Sequence, residues 1–487
     1  MKQLYDVIII GGGVIGSAIA RELSRYQLKI CVLEKNLDVC YETSGRNSGV
    51  VHAGFAYDVG SLKAKLCVEG NRHMGVLAEE LGFPFRRCGK ILVGSTPEDR
   101  TSLESTLAQG MANGVSDLVF VDKERIRQLV PDVQGEFGLY SPSSGIVDPF
   151  LYTIAFAENA SANGVEYFFN HEVTAISLNA DQTYLVTTTK GTFYSRWIVN
   201  SSGLSCGKIS DMLGITGYTV VGSKGDYIIL DKRVGAMLPM PIYPVPNNFT
   251  MGIHLTNTID GNVLVGPSGG TTMDMGDYSV PGDNIEHLST CASRLWPHIQ
   301  KKDYIRNYSG LLAKRLDENG VIQDFKIEIR DDIAPHAINL VGIESPGLTA
   351  AYAIARYAIA LMREREKLEP NTSFNPIHRF PIRLRDLPLK EQAELIRENP
   401  DYGEVICRCE QVTKAEVLQA IHNPLGVHCV TGIKYRTRAM MGRCQGGYCQ
   451  MRLTQIIEKE TGEQATDLRY ARADSQVFFG KVRQEAE

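Results

Sequence analysis

Four cysteines near the carboxyl end of the chain stand in two closely spaced pairs. Cys407 and Cys409 form a C-x-C pair, and Cys444 and Cys449 form a C-x4-C pair. Thiolates are soft ligands that bind iron and zinc, and four of them in two short loops supply the ligands of such a site. The spacing therefore predicts a metal site held by these four side chains.

A second chemical motif lies at the amino end, where a strand-like run meets a glycine-rich loop. Residues 5–10 read YDVIII, and the loop that follows reads GGGVIG. In this pattern Gly11 allows the tight turn, Gly13 lets a pyrophosphate approach the backbone, and Gly16 lets helix and strand pack closely. Glu34 ends the next strand-like run, where a carboxylate can accept hydrogen bonds from ribose hydroxyls. The pattern predicts a dinucleotide site with the contact residues Gly11, Gly13, Val14, Ile15, Gly16, Glu34 and Lys35.

A second glycine- and serine-rich segment indicates which dinucleotide binds. Residues 43–54 read TSGRNSGVVHAG, which suits the long phosphate–ribityl chain of a flavin rather than a nicotinamide. Here, and at residues 61–71 and 242–267, the sequence resembles the D-amino-acid-oxidase-like superfamily of FAD-dependent oxidoreductases. It is similar to L-2-hydroxyglutarate dehydrogenases and oxidases and to the large subunit of anaerobic glycerol-3-phosphate dehydrogenase, from residue 1 to about 365. The FAD contacts implied in this segment are Thr43, Ser44, Arg46, Asn47, Ser48, Gly49, Val51 and His52.

The resemblance also implies FAD contacts in later, separated parts of the chain. A strand-like stretch places a valine backbone against the adenine, and residues 197–203 form a strand that ends in a glycine turn near the nucleotide. The turn and helix after residue 339 can place backbone N–H groups near the flavin ring and stabilise its charge when it is reduced. The contacts implied in these parts are Val173, Ser202, Gly203, Gly342, Glu344, Ser345, Gly347, Leu348 and Thr349.

His52 is the predicted base for the oxidation of a substrate hydroxyl. The resemblance places it in the flavin-contacting segment, where an imidazole can take the hydroxyl proton while hydride passes to flavin N5. Without the motif, a histidine after two valines fits a packed core position equally well, and tethering the flavin is a further alternative. His254, in the sequence GIHLT, is a second candidate base.

The resemblance implies a small anionic substrate, because related enzymes hold a carboxylate or a phosphate with arginines. This chain departs from its relatives at both expected positions. Residues 55–57 read FAY in place of an Arg-Tyr pair, and Leu312 stands where relatives carry arginine. Arg315 and its neighbour Lys314 are the predicted substitutes, with an exposed basic pair as the alternative. Lys224, which matches an arginine of the 2-hydroxyglutarate branch, is a further predicted anion clamp.

The cysteine-bearing segment resembles the bacterioferritin-associated-ferredoxin-like [2Fe–2S] domain. That family usually carries C-x2-C as its second pair, whereas the longer spacer here matches the form appended to anaerobic glycerol-3-phosphate dehydrogenase. The resemblance implies a [2Fe–2S] cluster on the four cysteines; a zinc ion and metal-free thiols are the alternatives. The basic residues expected to offset the charge of the cluster are Lys434, Arg436, Arg438 and Arg443.

The expected fold class is α/β, with a Rossmann-like FAD domain, an interleaved α+β substrate domain and a small helical, cysteine-rich carboxyl-terminal domain. The FAD domain is predicted to be discontinuous, because its motifs lie in separated segments. The predicted division is 1–74, 146–214 and 326–366 for the FAD domain, 75–145 and 215–325 for the substrate domain, 367–403 for a linker arm, 404–455 for the [2Fe–2S] domain and 456–487 for a tail.

Composition excludes several other classes of protein. The 51 basic and 56 acidic residues give a formal charge of −5, which argues against nucleic acid as a partner. No window of about 18 residues is apolar enough for a transmembrane span. Without a leader-like amino end, and with its cysteines in a long chain, the protein is expected to be cytoplasmic.

Together these features predict a FAD-dependent dehydrogenase that oxidises a small anionic secondary alcohol, with glycerol 3-phosphate favoured. Electrons would pass through the [2Fe–2S] cluster to a second redox subunit or electron carrier, which could also provide a peripheral membrane contact. An oxidase would need no cluster, since it hands both electrons to O2. The alternatives are a 2-hydroxy-acid dehydrogenase of the L-2-hydroxyglutarate type, an amino-acid dehydrogenase, and a non-catalytic flavin or electron-transfer subunit of a larger complex.

Overall fold

The computed structural model describes residues 3–245 and 252–480. Expectations that concern residues 1–2, 246–251 and 481–487 lie outside the described residues, including part of the motif at 242–267. The strands, in chain order, are β1 (Leu4–Ile10), β2 (Ile30–Leu33), β3 (Val50–Val51), β4 (Phe85–Arg86), β5 (Lys90–Gly94), β6 (Val119–Asp122), β7 (Phe137–Ser141), β8 (Gly145–Val147), β9 (Glu166–Phe168), β10 (Val173–Leu178), β11 (Tyr184–Thr188), β12 (Gly191–Asn200), β13 (Thr219–Leu230), β14 (Ile242–Pro244), β15 (His254–Asn257), β16 (Val263–Gly266), β17 (Thr271–Thr272), β18 (Tyr304–Leu316), β19 (Lys326–Ile329), β20 (Ala337–Val341), β21 (Val405–Cys407) and β22 (Val412–Thr413).

Helices cover the sheets and build most of the carboxyl-terminal part. Within the two described ranges, no helix is both long and apolar enough to cross a bilayer. The helices are α1 (Val14–Leu23), α2 (Leu62–Leu81), α3 (Pro97–Ala112), α4 (Lys123–Leu129), α5 (Pro149–Ala162), α6 (Cys206–Met212), α7 (Lys232–Gly235), α8 (Gly282–Leu295), α9 (Gly347–Arg363), α10 (Leu389–Glu398), α11 (Lys414–Ile421), α12 (Val430–Thr437) and α13 (Gln450–Thr461).

The first sheet contains the parallel strands that the amino-terminal motif predicts. Its parallel core has the order β20–β12–β1–β2–β9, extended by the antiparallel strands β10, β11 and β19. Along β1, Val7 and Ile9 pack into one buried cluster with α1, α5 and α9, while Ile8 and Ile10 pack into another with β11 and α6. Both faces are covered, which is why this strand is apolar without alternation.

The second sheet has the order β17–β13–β16–β15–β14–β5–β7–β6, with β18 paired to β13. β13 and β18 are antiparallel from the pair Thr219 and Leu316 to the pair Leu230 and Tyr304. Strands of the first sheet come from residues before 34, from 166–200 and from 326–341, whereas those of the second come from 90–141 and 219–316. The mixed α/β fold class is confirmed, and the boundaries between domains stay a prediction.

The carboxyl-terminal part is a small unit with its own core. β21 and β22 form an antiparallel pair, and Val417, Ile433 and Leu453 from α11, α12 and α13 pack against it. The segment before this unit is extended and lies along the first sheet's helices; for example, the N–H of His378 donates to the carbonyl of Glu80. α10 interrupts this arm near its end.

A buried ion triad joins the carboxyl-terminal unit to the first sheet. Arg436 on α12 donates to Asp38 at 2.6 Å and to Glu158 on α5 at 2.8 Å. His378 in the arm approaches the other oxygen of Glu158 at 3.0 Å. Arg436, Asp38 and Glu158, the three members of the triad, are all buried. Because ions are costly to bury without partners, the triad fixes the position of α12 against the sheet.

We predict that Arg436→Met lowers the free energy of unfolding by about 3–5 kcal/mol, because Asp38 would remain buried without its cation and Glu158 would keep only His378. Urea denaturation followed by circular dichroism measures the change. The matched control is Arg330→Met, which removes an exposed pair with Asp332 and should cost less than about 1 kcal/mol. Equal effects of the two substitutions would show that the triad does not hold the unit in place.

Candidate functional site

A cavity of about 900 Å³ lies between the carboxyl ends of the parallel strands and the second sheet. Gly11, Glu34 and Ser201 line it at the ends of β1, β2 and β12, and Ile343 lines it after β20. In α/β folds, ligands bind in the crevice outside the carboxyl ends of such strands. The volume is of the size that holds a large cofactor.

The glycine loop leaves no room for side chains. Gly11 has a φ of +104°, and a Cβ on it would lie 2.8 Å from the carbonyl oxygen of Ser201. A Cβ on Gly16 would lie 2.0 Å from the carbonyl oxygen of Gly11. The N-cap residue of α1, Gly13, has no side chain to accept a hydrogen bond. The first N–H of the helix, that of Val14, donates instead to Ser44 Oγ at 3.0 Å. A helix start of this kind favours phosphate, so the loop fits a pyrophosphate.

Glu34 presents a buried carboxylate at the end of β2. Its Oε2 accepts the N–H of Gly12 at 2.7 Å, and its Oε1 accepts both the N–H and the side-chain amide of Asn36 at 2.8 and 2.9 Å. Burial raises the pKa of Glu34, and these hydrogen bonds act in the opposite direction. The position and the acceptor atoms fit the ribose of a dinucleotide.

The second glycine-rich segment ties three parts of the molecule together. Thr43 Oγ1 donates to the carbonyl of Leu311 on β18, and a Cβ on Gly310 would lie 2.0 Å from the carbonyl oxygen of Arg46. At the other end of the segment, the N–H of His52 donates to Thr349 Oγ1 at the start of α9. The segment is thereby fixed between both sheets along the cavity.

Most of the predicted FAD contacts line this cavity. The three exceptions are Gly16, Val51 and Gly342. Gly16 serves the close packing described above, Val51 is fully buried, and a Cβ on Gly342 would lie 2.7 Å from Arg315 Cβ. The predicted contacts that line the cavity are Gly11, Gly13, Val14, Ile15, Glu34, Lys35, Thr43, Ser44, Arg46, Asn47, Ser48, Gly49, His52, Val173, Ser202, Gly203, Glu344, Ser345, Gly347, Leu348 and Thr349.

The two candidate bases lie in one part of the cavity wall. His52 lies edge-on to Tyr57, with ring centres 6.4 Å apart, and His254 stacks on Tyr243, with centres 3.8 Å apart. Burial, aided by the charge of Lys90, lowers the pKa of His52 well below its usual range. Burial also lowers the pKa of His254 to about 3. Both imidazoles are therefore neutral at pH 7.

Lys90 is a buried cation that the sequence analysis missed. Its side chain is 1% exposed, and its Nζ lies 3.5 Å from His52 Nδ1. The amine also lies 4.7 Å from the ring centre of Phe55 and 4.5 Å from that of Tyr243. Burial lowers the pKa of Lys90 to about 8. The only signal in the sequence is a lysine at the start of an otherwise apolar strand, KILVG.

The predicted anion clamps have different surroundings. Lys314 lines the cavity, with its Nζ 3.9 Å from Glu344 Oε2, and Lys63 reaches the other oxygen of Glu344 at 2.7 Å. Arg315, the neighbour on β18, does not line the cavity and donates instead to the carbonyl of Asp324. The expected position of Arg315 is thus not the one found, because adjacent residues of a strand point to opposite faces.

Lys224 lines the cavity but already has an anionic partner. Its Nζ lies 2.6 Å from Asp277 Oδ2 and 3.2 Å from Ser279 Oγ. The hydrogen bond from Lys224 lowers the pKa of Asp277. A bound anion would have to compete with this carboxylate for the lysine.

The four predicted metal ligands interact as two pairs of thiols. The buried Cys407 is hydrogen-bonded to the buried Cys449, and this contact lowers the pKa of Cys407 to about 6. The exposed Cys409 forms the second pair with the exposed Cys444. Over residues 3–245 and 252–480, no group of three or more His, Cys, Asp or Glu side chains is arranged around a single ion. Two pairs suit a two-iron cluster, with two thiolates on each iron, better than tetrahedral zinc.

Comparison with known proteins gives the same assignment. The family model for FAD dependent oxidoreductases matches residues 6–361, and the model for the BFD-like [2Fe-2S] binding domain matches residues 405–459. A relative named glycerol 3-phosphate dehydrogenase, from Caloramator mitchellensis, is 35% identical over 99% of this chain and 100% of its own length. A mitochondrial L-2-hydroxyglutarate dehydrogenase from Nematostella vectensis is 30% identical over 75% of this chain and 91% of its own.

A solved structure of similar fold is L-alpha-glycerophosphate oxidase from Mycoplasma pneumoniae with FAD bound. It is 30% identical, has a TM-score of 0.74, and the match covers 78% of this chain and 100% of that one. The expected enzyme class and both expected cofactors, FAD and a [2Fe–2S] cluster, are confirmed. This chain belongs to the family of FAD dependent oxidoreductases and carries a BFD-like [2Fe–2S] binding domain at its carboxyl end.

Proposed function

We propose that this chain oxidises the secondary hydroxyl of glycerol 3-phosphate as a dehydrogenase. The observation that carries the proposal is the extent of the similarity. The glycerol 3-phosphate dehydrogenase of Caloramator mitchellensis matches 99% of the chain, cluster domain included. The L-2-hydroxyglutarate dehydrogenases match about three quarters of it. A cluster domain can pass electrons one at a time from the flavin to a carrier, whereas an oxidase that hands both electrons to O2 has no use for one.

Within this proposal, the predicted FAD contacts that line the cavity hold the cofactor. The loop of Gly11 and Gly13 receives the pyrophosphate, Glu34 the ribose, and the start of α9 near Thr349 the flavin ring. Bound FAD supplies the acceptor for the hydride that leaves the substrate carbon. The division of the chain into an FAD domain, a substrate domain, a linker arm and a cluster domain is part of the same proposal, as is a cytoplasmic location.

His52 is proposed to take the proton of the substrate hydroxyl. Its ring lines the cavity, and its backbone is held on both sides, since its N–H donates to Thr349 Oγ1 and its carbonyl accepts from Asn71 Nδ2. A neutral imidazole can accept a proton as the C–H bond breaks. His254 lines the cavity too, but its Nδ1 contacts the carbonyl of Gly252 at 3.1 Å.

Lys314 is proposed to hold the phosphate of the substrate. It lies on the cavity face of β18, two residues after Leu312, which replaces the arginine of relatives. Lys63 stands opposite, and the two amines share the single carboxylate of Glu344. Two positive charges against one negative charge leave a net attraction for an anion.

A 2-hydroxy acid is the second candidate substrate, because L-2-hydroxyglutarate dehydrogenases share 28–33% identity with this chain over the matched residues. We predict that glycerol 3-phosphate bleaches the bound flavin under anaerobic conditions at least about 100-fold faster than L-2-hydroxyglutarate, lactate or proline, a ratio of about 2.7 kcal/mol in transition-state binding. Stopped-flow absorbance measures each rate. Faster reduction by L-2-hydroxyglutarate would move the assignment to that substrate, and no reduction by any of them would indicate a non-catalytic subunit.

We predict that Lys314→Met raises KM for glycerol 3-phosphate by about 10-fold with little change in kcat, because it removes binding to a part of the substrate that does not react. Steady-state assays with a redox dye measure both constants. Lys326→Met is the matched control, since this lysine on β19, the next strand along the chain, does not line the cavity. An unchanged KM in Lys314→Met would exclude Lys314 from substrate binding.

We further propose that a second redox protein receives electrons at the exposed edge of the cluster domain. Cys409 and Cys444 are both exposed there. Tyr448 and Met451 lie exposed beside them, 42% and 54% accessible, and Arg408 covers the ring of Tyr448 at 4.3 Å. Exposed apolar side chains next to a redox centre, rimmed by arginine, are typical of a transient docking site for an acidic carrier.

We predict that Cys444→Ser abolishes the S = 1/2 electron paramagnetic resonance signal of the reduced protein. Reduction of the flavin by substrate should stay within about 3-fold, because Cys444 lies in a different domain from the cavity. Electron delivery to cytochrome c, a one-electron acceptor, should fall at least about 10-fold. Cys291→Ser, on α8, is the control. Zinc in place of iron in the purified protein, or unchanged delivery in Cys444→Ser, would contradict the proposed route.

A further inference from the structure

The amine of Lys90 is buried and has no carboxylate partner among the described residues. Most buried ammonium groups are ion-paired, because an unpaired charge is costly in a protein interior of low dielectric constant. Among the ion pairs of the described residues, none includes Lys90. Its Nζ contacts His52 Nδ1 at 3.5 Å, and Lys90 does not line the cavity, whereas His52 does. Burial of Lys90 therefore does not stabilise the fold, and its position needs a functional explanation.

The side chains that face Lys90 from the surrounding elements are neutral. Phe55 and His52 face it from the segment after β3, Cys67 from α2, and Tyr243 and His254 from β14 and β15. Burial raises the pKa of both the Cys67 thiol and the Tyr243 hydroxyl, so neither is ionised near pH 7. Nothing in this shell holds a fixed negative charge that would keep the amine protonated.

The contact between Lys90 and His52 links the protonation of the two groups. When Lys90 is an ammonium ion it donates to Nδ1, so the proton of the neutral imidazole must be on Nε2. In that state Nε2, the nitrogen that does not contact Lys90, has no free lone pair. When Lys90 is a neutral amine it can accept from Nδ1–H, and Nε2 is then free to take a proton. Only the second state gives His52 the form that a base requires.

We propose that Lys90 is the final acceptor of the substrate's hydroxyl proton, which reaches it through His52. This inference rests on the proposed function, and Lys90 is a positioning residue, since it acts through His52. The substrate O–H bond breaks and a proton binds to His52 Nε2; the Nδ1–H bond of His52 breaks and that proton binds to Lys90 Nζ. The electron pair of the C–H bond leaves with the hydride to the cofactor, so charge and atoms balance.

This relay explains how a buried imidazole can serve as a base. An isolated His52 would be a weak proton acceptor, because burial lowers its pKa well below its usual range. Lys90 remains a better acceptor, since its pKa is lowered only to about 8. A base is most effective when its pKa lies near the working pH, and the pair meets this condition where neither histidine alone does.

The pH dependence follows from the state of Lys90 before reaction. Below about pH 8 the amine is charged and His52 holds its proton on Nε2; above it the amine is neutral and Nε2 is free. The rate of flavin reduction should therefore rise with pH and level off above about pH 8. His254 and the buried thiol and phenols do not change charge in this range, so they do not produce the rise.

We predict that Lys90→Met lowers kcat for glycerol 3-phosphate by about 10- to 100-fold with little change in KM, and that it removes the rise with pH. Lys90→Arg should remain slow up to pH 10, because a guanidinium ion does not lose its proton. Stopped-flow flavin reduction from pH 6 to 10, together with FAD content and thermal unfolding of each variant, measures these effects. A wild-type pH midpoint in Lys90→Met would overturn the proposal.

A second readout needs neither substrate nor turnover. ¹⁵N NMR of the full-length protein, labelled in histidine, reports which ring nitrogen carries the proton, and the His52 signal is assigned by its loss in His52→Gln. We expect the proton on Nε2 at pH 6.5 and on Nδ1 at pH 9. The same tautomer at both values would overturn the relay. A switch of tautomer without any oxidation of glycerol 3-phosphate would retain the Lys90–His52 pair and remove only the proposed substrate.

Discussion

The site depends on one steric constraint, the close approach of three backbone segments where β1, α1 and β12 meet. Any side chain on Gly16 would occupy the position of the carbonyl of Gly11, and any on Gly11 would touch Ser201. This closeness sets the start of α1 at the ends of the parallel strands, with its N–H groups directed into the cavity. Glu34 reinforces the arrangement, since its carboxylate accepts the N–H of Gly12 inside the same loop.

The other elements take their positions from this corner. Ser44 contacts the first N–H of α1, and the segment it belongs to continues to His52, whose N–H is held by Thr349 at the start of α9. Two helix starts, separated by more than three hundred residues in the chain, thus border the same cavity. The second sheet is attached at Gly310, where only a glycine fits against the backbone of Arg46.

The sequence allowed prediction of the parts that depend on local pattern. The strand–glycine–helix unit, Glu34 at the end of β2 and the paired cysteines are recognisable because each function needs given residue types at fixed spacings. The face of β18 on which Arg315 lies depends on strand register, which spacing alone does not show. Lys90 gave no usable signal: a lysine at the edge of an apolar strand is normally solvated, and its burial results from Phe55 and Tyr243, which are distant in the chain. Long-range packing of this kind cannot be read from spacing.

The cations around the cavity divide into two kinds by their partners. Lys63, Lys314 and Lys224 each have a carboxylate within ion-pair distance. Lys90 has aromatic rings and an imidazole instead, and burial brings its pKa to about 8. A carboxylate competes with a bound anion for its lysine, whereas an unpaired amine is suited to exchange a proton. The single Glu344 shared by Lys63 and Lys314, and the lack of any such acid among the described neighbours of Lys90, therefore fit the two proposed roles, phosphate binding by Lys314 and proton transfer by Lys90.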